Sequence, residues 1–450
     1  MSNKYNLTEG SVLKKLLLVA FPLIGSQVIQ MTYNLTDMFW LGRLSSDAVA
    51  ASGTAGMYML ISLSIMMIGR MGAEIGVAQH TGRQEPEIAK AYAKNSLTLT
   101  AIIGLVLAGL YAFGRGPLIG FFGIQEAHVA SAAETYLLIV ALGIPFTFIT
   151  AVVTGIYNGS GNAKVPFRIN CVGVAINVLL DPILIFPLNM GIAGAAVATA
   201  VAQVAACVLS LVALAASKSS PFPGFRPSLK LNGNYVKQIL KWSIPIAAEG
   251  FLFTFMSMFV SRFVAGFGAA AISAQRIGSQ IENLSWLIGG AFSSALTAFV
   301  GQNYGAKKWD RIDRGYRAGL LIMAVWGVAV AALMFFGAHF LFNIFLPNAP
   351  AELAIGVSFL RILSISQLFI CFESAAMGAF RGLGQTVHPS IISAITNISR
   401  VLLAWGLMNT SLGLNGIWLS LTIGSSVRGL WMLLGYSHCA KKQYARKCRR

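Results

Sequence analysis

The sequence predicts an all-α polytopic membrane protein, with twelve transmembrane helices in two six-helix bundles. Three observations carry that prediction. Of 450 residues, 56% are hydrophobic and only 11% charged, where a soluble protein carries about a quarter charged residues. The apolar residues, at a mean hydropathy of +0.70, gather into runs of the roughly 20 residues that a hydrocarbon core demands. The chain also repeats itself at one fixed offset, so its two halves should share a fold.

Twelve helices are expected at roughly 13–41, 47–78, 91–113, 132–157, 165–187, 191–216, 236–264, 268–300, 312–338, 353–380, 387–409 and 413–437. Several exceed the length a span needs, so they should tilt or bend. Pro22, Pro145, Pro182 and Pro245 lie inside spans; each frees a backbone carbonyl and permits a kink.

The first helix carries a polar stripe. Gln27, Gln30, Asn34 and Asp37 recur at spacings of 3, 4 and 3, with Tyr33 one turn before Asp37. Such spacing puts them on one helix face. A carboxylate at this depth is costly unless it meets a wet cavity or other polar helices, so the face reads as part of a transport pathway. The run follows Lys4, Lys14 and Lys15 like a signal peptide. It is too long for one and holds Asp37, so it is read as a retained first span.

In the second helix, Arg70 and Glu74 stand one turn apart and read as an ion pair. The fifth helix presents Asn170, Asn177 and Asp181-Pro182 at 7 and 4 spacing. The sixth offers Thr199 and Gln203, one turn apart. These three faces suggest one buried site of Asp37, Asn177, Asp181 and Thr199 with Tyr33. Two carboxylates close together in low dielectric cannot both stay ionised cheaply and would titrate as a unit. That suits proton uptake and release. The same carboxylate, amide and hydroxyl oxygens could ligate sodium, and the residues leave that choice open.

The stretch Ser217–Gly233 is rich in Pro, Gly and Ser and reads as a linker. The expected organisation is a six-helix lobe over 1–216, a cytoplasmic linker over 217–234, a second lobe over 235–437 and a basic tail over 438–450. In the second lobe, Glu249, Glu282 and Glu373 lie within spans, with Gln275, Arg276 and Asn283. The eleventh helix carries Ser390, Ser393, Asn397 and Arg400, again at 3-4-3 spacing. A charge-balanced interior is one reading, with Arg400 pairing a glutamate. The other makes Gln30, Asn34, Gln203, Glu249, Phe253, Glu282, Glu373, Asn397 and Arg400 a substrate cavity, with Phe253 stacking on a cationic ligand. Arg428 is a lone intramembrane charge.

Shifting by 223 residues lays Pro22 on Pro245, Gln79 on Gln302, Gly82 on Gly305, Gly155 on Gly378, Gly159 on Gly382, Gly161 on Gly384 and Pro166 on Pro389. Each half has an even number of spans, so the repeat is parallel, about an axis along the membrane normal. Asp37 falls on Val260, Asn177 on Arg400 and Asp181 on Ala404, so only the first half owns the carboxylate pair.

The net charge of +18 does not point to nucleic acid. The basic residues cluster in the loops after helices 2, 4, 6 and 8 and in the tail, as the positive-inside rule requires, which places both termini in the cytoplasm. Five cysteines form no CxxC pair and read as buried free thiols, with no metal site. No phosphate-binding loop, channel filter or hydrolase motif occurs, so neither an enzyme nor an ATP-driven motor is expected, and no cofactor.

Taken together, these residues resemble the multidrug and toxic compound extrusion (MATE) transporters. The resemblance covers nearly the whole chain. It rests on the two parallel halves, the first helix Pro22…Tyr33-Asn-Leu-Thr-Asp37, the loop Gln79-His-Thr-Gly82 echoed as Gln302-Asn-Tyr-Gly305, and Gly155-Ile-Tyr-Asn-Gly-Ser-Gly161 echoed as Gly378-Ala-Phe-Arg-Gly-Leu-Gly384. Asn177-Val-Leu-Leu-Asp181-Pro182 is similar to the DinF-like branch. The resemblance implies a V-shaped pair of bundles and export of cationic amphipathic drugs against protons or sodium ions. It implies a cation site at Tyr33, Asp37, Asn177, Asp181 and Thr199, and bending of the first helix at Pro22. A different branch uses acids of the second lobe, to which Glu249 or Glu373 would correspond. The expected partners are small cationic drugs and the lipid bilayer of the plasma (inner) membrane, with the monomer as functional unit. The alternatives are a lipid-linked oligosaccharide flippase of related fold and a non-transporting receptor or scaffold.

Overall fold

In the computed structural model, which describes residues 5–124, 126–216, 219–345 and 350–447, fourteen helices and no strand are found among the described residues. The first half holds α1 (Val12–Leu44), α2 (Ser46–Gly82), α3 (Pro86–Gly120), α4 (Ala127–Gly159), α5 (Lys164–Ile185) and α6 (Gly191–Ala216). The second holds α7 (Gly233–Ala265), α8 (Ala269–Gly305), α9 (Trp309–Phe336), α10 (Ala338–Phe345), α11 (Pro350–Ser364), α12 (Gln367–Gly382), α13 (Val387–Met408) and α14 (Gly413–Lys447). Eleven of these are long and apolar enough to cross a membrane, and α11 with α12 forms a twelfth span bent by 48°. The longest, α2 and α8 at 37 residues each, reach about 55 Å at 1.5 Å per residue. They therefore extend well past the hydrocarbon, and the helices run further into the loops than hydropathy alone indicates.

The tenth span departs from expectation. It is not one helix over 353–380 but two, broken between Ser364 and Gln367. Three successive polar side chains there bond to their own backbone: Ser364 Oγ to Arg361 O, Ser366 Oγ to Leu363 O, and Gln367 Nε2 to Leu363 O. They supply locally what the regular ladder would otherwise satisfy. Its repeat mate α4 is continuous despite Pro145. The stretch 338–352, read as a loop, also holds α10 and the start of α11; residues 346–349 within it, Ser217 and Lys218 of the linker and the last three residues of the tail lie outside the described residues.

The repeat extends to backbone detail. Gln84 and Lys307 both adopt left-handed conformations, at φ 62° and 57°, and so do Gly161 and Gly384, at 86° and 73°. Gly155 and Gly159 let α4 lie on α2: an added Cβ would strike Arg70 O and Glu74 O. Gly378 and Gly382 do the same for α12 on α8, against Ser293 O and Thr297 O. Small residues at matched positions are what close helix packing in lipid requires. One residue is lost before the last helix: α6 opens on Gly191 (φ 55°) and α14 on Gly413 (φ 49°). In that helix the offset is thus 222, and Thr199 corresponds to Leu421.

The chain divides into two compact units. One contains Leu17–Ala247, and the other Ala248 onward together with Thr8–Leu16. In the first, α4 packs on α2, α3 and α6, and α5 on α6. The linker is tied down where Asn95 Oδ1 accepts from Asn232 N at 2.7 Å and Thr98 Oγ1 donates to Ser228 O. In the second, α12 packs on α8, α9 and α14, and α13 on α14. The segment before α1 is held there by Lys308 Nζ on Thr8 O at 3.0 Å and Arg311 Nη1 on Gly10 O at 2.8 Å.

A leucine at Gly378 forces α12 off α8 and should lower stability by about 1–3 kcal/mol or more, as overpacked cores do. Gly53, with nothing within 4 Å of its Cβ position, should accept alanine with no loss. Thermal unfolding of the purified variants tests both, and equal midpoints for Gly378→Leu and wild type would refute the packing role.

Candidate functional site

The polar faces of α1, α5 and α6 meet inside the first unit. Tyr33 and Thr199 hydroxyls hydrogen-bond at 3.1 Å, which joins α1 to α6. Asn177 Nδ2 donates to Asp181 Oδ1 at 3.2 Å, one turn apart on α5. Asp37 lies within electrostatic range of both Asp181 and Tyr33. Asn177 and Asp181 are fully buried, and Thr199 nearly so. The five residues expected to form one site are therefore brought together. Gln203 follows Thr199 by one turn of α6, against Gly143, where a Cβ would collide with its Oε1.

The donor–acceptor balance of this site is lopsided. Asp37 Oδ1, Asp181 Oδ2 and Asn177 Oδ1 are all buried without a hydrogen-bond partner. All three are acceptors. Buried polar atoms are rarely left so, and what such a site lacks is positive charge or a proton.

Tyr136 was not among the expected residues. It is buried on α4 and lies within electrostatic range of Asp37, Tyr33 and Asp181. The residues one turn away on either side, Ala132, Ala133, Ile139 and Val140, are apolar, so no polar stripe marks it. The repeat supplies a signal: Asp37, Tyr136 and Asp181 correspond to Val260, Phe359 and Ala404, and Thr199 to Leu421. Val260, Phe359 and Ala404 share one hydrophobic cluster, and Leu421 packs against it. The position that is a carboxylate site in one unit is oily core in the other.

The remaining candidates fall elsewhere. Gln30 and Asn34 are exposed on α1, and Pro22 lies within the unbroken helix α1. In the second unit, Ser390 Oγ donates to Glu249 Oε2 at 3.2 Å. The expected pairing of Arg400 with a glutamate is corrected: Arg428, the unassigned charge, takes Glu373, with Nε 2.8 Å from Oε2 and Nη1 3.2 Å from Asn397 Oδ1. Arg428 comes from α14 and reaches both α12 and α13, while Arg400 on α13 points to α7. There its Nη2 meets Ser257 Oγ at 3.5 Å and its guanidinium lies 5.2 Å over the Phe253 ring. Phe253 thus already stacks on a cation of the protein's own. Arg70 and Glu74 do stand as a pair, at 3.9 Å. Cys171, Cys207 and Cys371 are free thiols, and among the described residues no group of three or more His, Cys, Asp or Glu side chains could hold a metal.

The Arg428–Glu373 pair is nearly solvent-free, at 4% and 6% side-chain exposure. Removing one partner of such a pair strands the other, at a cost of about 3–5 kcal/mol, whereas replacing both is often neutral. Arg428→Met should therefore lower the thermal midpoint strongly, and Arg428→Met with Glu373→Leu should recover most of it. Equal losses in single and double variants would show that the pair does not act as a unit.

The MatE family model matches this chain twice, over residues 22–183 and 245–405, which is most of both halves and again sets Pro22 against Pro245. A probable multidrug resistance protein NorM of Thermotoga maritima is 27% identical over 428 residues, covering 94% of this chain and 91% of that protein. A probable multidrug resistance protein YoeA of Bacillus subtilis is 27% identical, covering 98% and 96%. A solved structure of a MOP superfamily transporter from Pyrococcus furiosus superposes with a TM-score of 0.91 at 22% identity, covering 98% of each chain. A MATE structure in a bent conformation gives 0.92 at 21% identity, covering 99% and 100%. With its fold matched at that level and its family model found in both repeats, this chain belongs to the MATE family of membrane transporters and is not an enzyme.

Proposed function

We propose that this protein exports cationic amphipathic drugs across the plasma (inner) membrane by alternating access, in exchange for protons or sodium ions. The observation that carries the reading is the carboxylate site of the first unit, where three buried acceptor oxygens lack donors. A proton on the Asp37–Asp181 pair supplies one donor. A sodium ion would instead be held by oxygens of Asp37, Asn177, Asp181 and Thr199, the hard ligands it prefers. The names of the relatives from Thermotoga maritima and Bacillus subtilis, both multidrug resistance proteins, support the drug side of the exchange.

In this reading Asp37 and Asp181 take up the ion from outside. Tyr33, Asn177, Thr199 and Tyr136 orient the carboxylates and hold the proton or ion among them. Neutralising the pair removes the need for polar company on the α1 face, and Pro22 is where α1 yields. A ligand shifts a conformational equilibrium only through differential affinity, so drug and ion must favour opposite states. The clustering of basic residues in one set of loops supports cytoplasmic termini. The reading takes the monomer as the functional unit, since each chain carries its own carboxylate pair, and assigns the site to the DinF-like branch of the family.

Reconstitution in liposomes tests this. Efflux of a cationic dye is followed under a proton gradient, a sodium gradient, or neither. One gradient should drive efflux, and so name the ion. Asp37→Asn, still monodisperse on size exclusion, should lose gradient-driven efflux by about tenfold or more, within the range of coupling energies of transporting systems. Wild-type-like, gradient-dependent efflux by Asp37→Asn sinks the assignment of the coupling acid, and dye movement indifferent to both gradients sinks antiport.

A further inference from the structure

The second unit contains a cavity of about 200 Å³ that the carboxylate site does not explain. It is lined by Phe253, Ser257, Val260 and Ser261 of α7, Gln275, Ser279, Glu282 and Trp286 of α8, Arg400 of α13 and further residues of α11, α14 and the helix break. A guanidinium and a carboxyl group thus face the same small space. They do not touch: among the described residues, Arg400 makes no direct ion pair. Arg400 is 8% exposed, and its Nε has no hydrogen-bond partner. Its sole described hydrogen bond runs from Nη2 to Ser257 at 3.5 Å. A buried guanidinium with an idle donor, held in place over a phenyl ring, is a ready anchor for a carboxylate.

The surroundings add a consistent bias. Behind Arg400, Asn397 Nδ2 and Arg428 Nη2 are also buried donors without acceptors. Opposite, the Glu282 carboxylate is hydrogen-bonded by the Trp286 side chain, within electrostatic range of Arg400. The Trp286 and Phe253 rings stand 6.1 Å apart at 54°, and both line the cavity. The outer face of Trp286 is already taken by Arg428, 5.5 Å from its centroid.

We propose that this cavity is a binding site for a small aromatic zwitterion, with its carboxylate on Arg400, its ammonium on Glu282, and its ring against Phe253 and Trp286. The charge pattern excludes a plain cation, which Arg400 would repel, and a plain anion, which Glu282 would repel. The size excludes a whole drug, since drug-sized pockets begin at about 300 Å³, and admits a molecule of the size of an aromatic amino acid. The site lies wholly within the second unit and shares no residue with the Asp37–Asp181 pair, so it stands whether or not the efflux reading does.

Calorimetric titration of the purified full chain in detergent, without any gradient, tests it with three probes: L-phenylalanine, its methyl ester and N-acetyl-L-phenylalanine. The zwitterion should bind, and the ester and the N-acetyl form should each bind about tenfold or more weakly, as expected for losing one charge-assisted contact. Glu282→Gln should narrow the gap between phenylalanine and its N-acetyl form, and Arg400→Gln the gap between phenylalanine and its ester. Arg400→Lys keeps a charge and should keep part of the carboxylate preference, so the prediction survives if Arg400→Gln does not fold. Ester binding equal to that of phenylalanine overturns the role of Arg400. N-acetyl binding equal to it overturns the role of Glu282. No heat with any probe at millimolar concentration overturns the site.

Discussion

A polar group at hydrocarbon depth has no water to turn to, and this single constraint shapes both units. In the first, α1, α5 and α6 turn their polar faces on one another until Tyr33 meets Thr199 and Asn177 meets Asp181. Around the carboxylate pair the atoms left over are acceptors, because carboxylates only accept while ionised. In the second, Arg428, Glu373 and Asn397 bond to one another across three helices, and beside those bonds Arg400, Arg428 and Asn397 keep donors without partners. The carboxylate site is short of positive charge locally, and the surroundings of Arg400 have idle donors of it. Neither arrangement maximises stability, since buried charges cost more to desolvate than they return unless fully met. Leftover valence of opposite kinds in the two units is a mark of sites.

The scaffold around these sites was conserved through duplication while their chemistry diverged. The contacts that set helix distances are the same in both repeats: Gly155 over Arg70 O matches Gly378 over Ser293 O, and Gly159 over Glu74 O matches Gly382 over Thr297 O. Those positions tolerate no side chain, so they cannot drift. Asp37, Tyr136, Asp181 and Thr199 stand where Val260, Phe359, Ala404 and Leu421 pack as core. The swaps offset one another in size, with Val260 and Leu421 larger than Asp37 and Thr199, Ala404 smaller than Asp181, and Phe359 differing from Tyr136 by one oxygen, so a polar site is exchanged for an oily one on the same helix positions. The chemistry of a lobe can therefore be rewritten without disturbing its fold, and the same helix positions hold a carboxylate pair in one half and pack as core in the other.

Most of the fold was legible in the sequence because lipid makes hydrophobic length the governing signal. The spans, the fixed offset and the convergence of Asp37 with Asp181 all follow from spacing. Three things did not. The break between Ser364 and Gln367 depends on side chains bonding to their own carbonyls, which leaves hydropathy unchanged. The sequence favours Arg400 over Arg428 as the partner of a glutamate because Arg400 sits on an obvious polar stripe and Arg428 does not, although direction in space, not periodicity, decides which arginine reaches α12. Tyr136 carries no periodic signal because Ala132, Ala133, Ile139 and Val140, its neighbours on the same helix face, are apolar; comparing it with Phe359 across the repeat isolates its hydroxyl as the one atom added.

The burial of the carboxylate site limits how ion and drug can communicate. Asn177, Asp181 and Thr199 are closed off beside the buried Tyr136, while Asp37 and Tyr33 are half-buried, so the inner part of the site has no room for a drug. Direct competition for Asp181 is therefore excluded. Yet α1 carries both kinds of residue: Tyr33 reaches inward to Thr199, while Gln30 and Asn34, on the same helix within a turn, are exposed. A change in the charge of Asp37 alters what the inward face of α1 must satisfy, and a rigid helix cannot rotate or bend one face without moving the other. If the proposed antiport holds, its coupling passes through the body of α1, with Pro22 as the weak point of its hydrogen-bond ladder, and polyspecificity follows naturally. The ion site reads only charge, and the exposed face is free to meet many shapes because none of them has to fit the carboxylates.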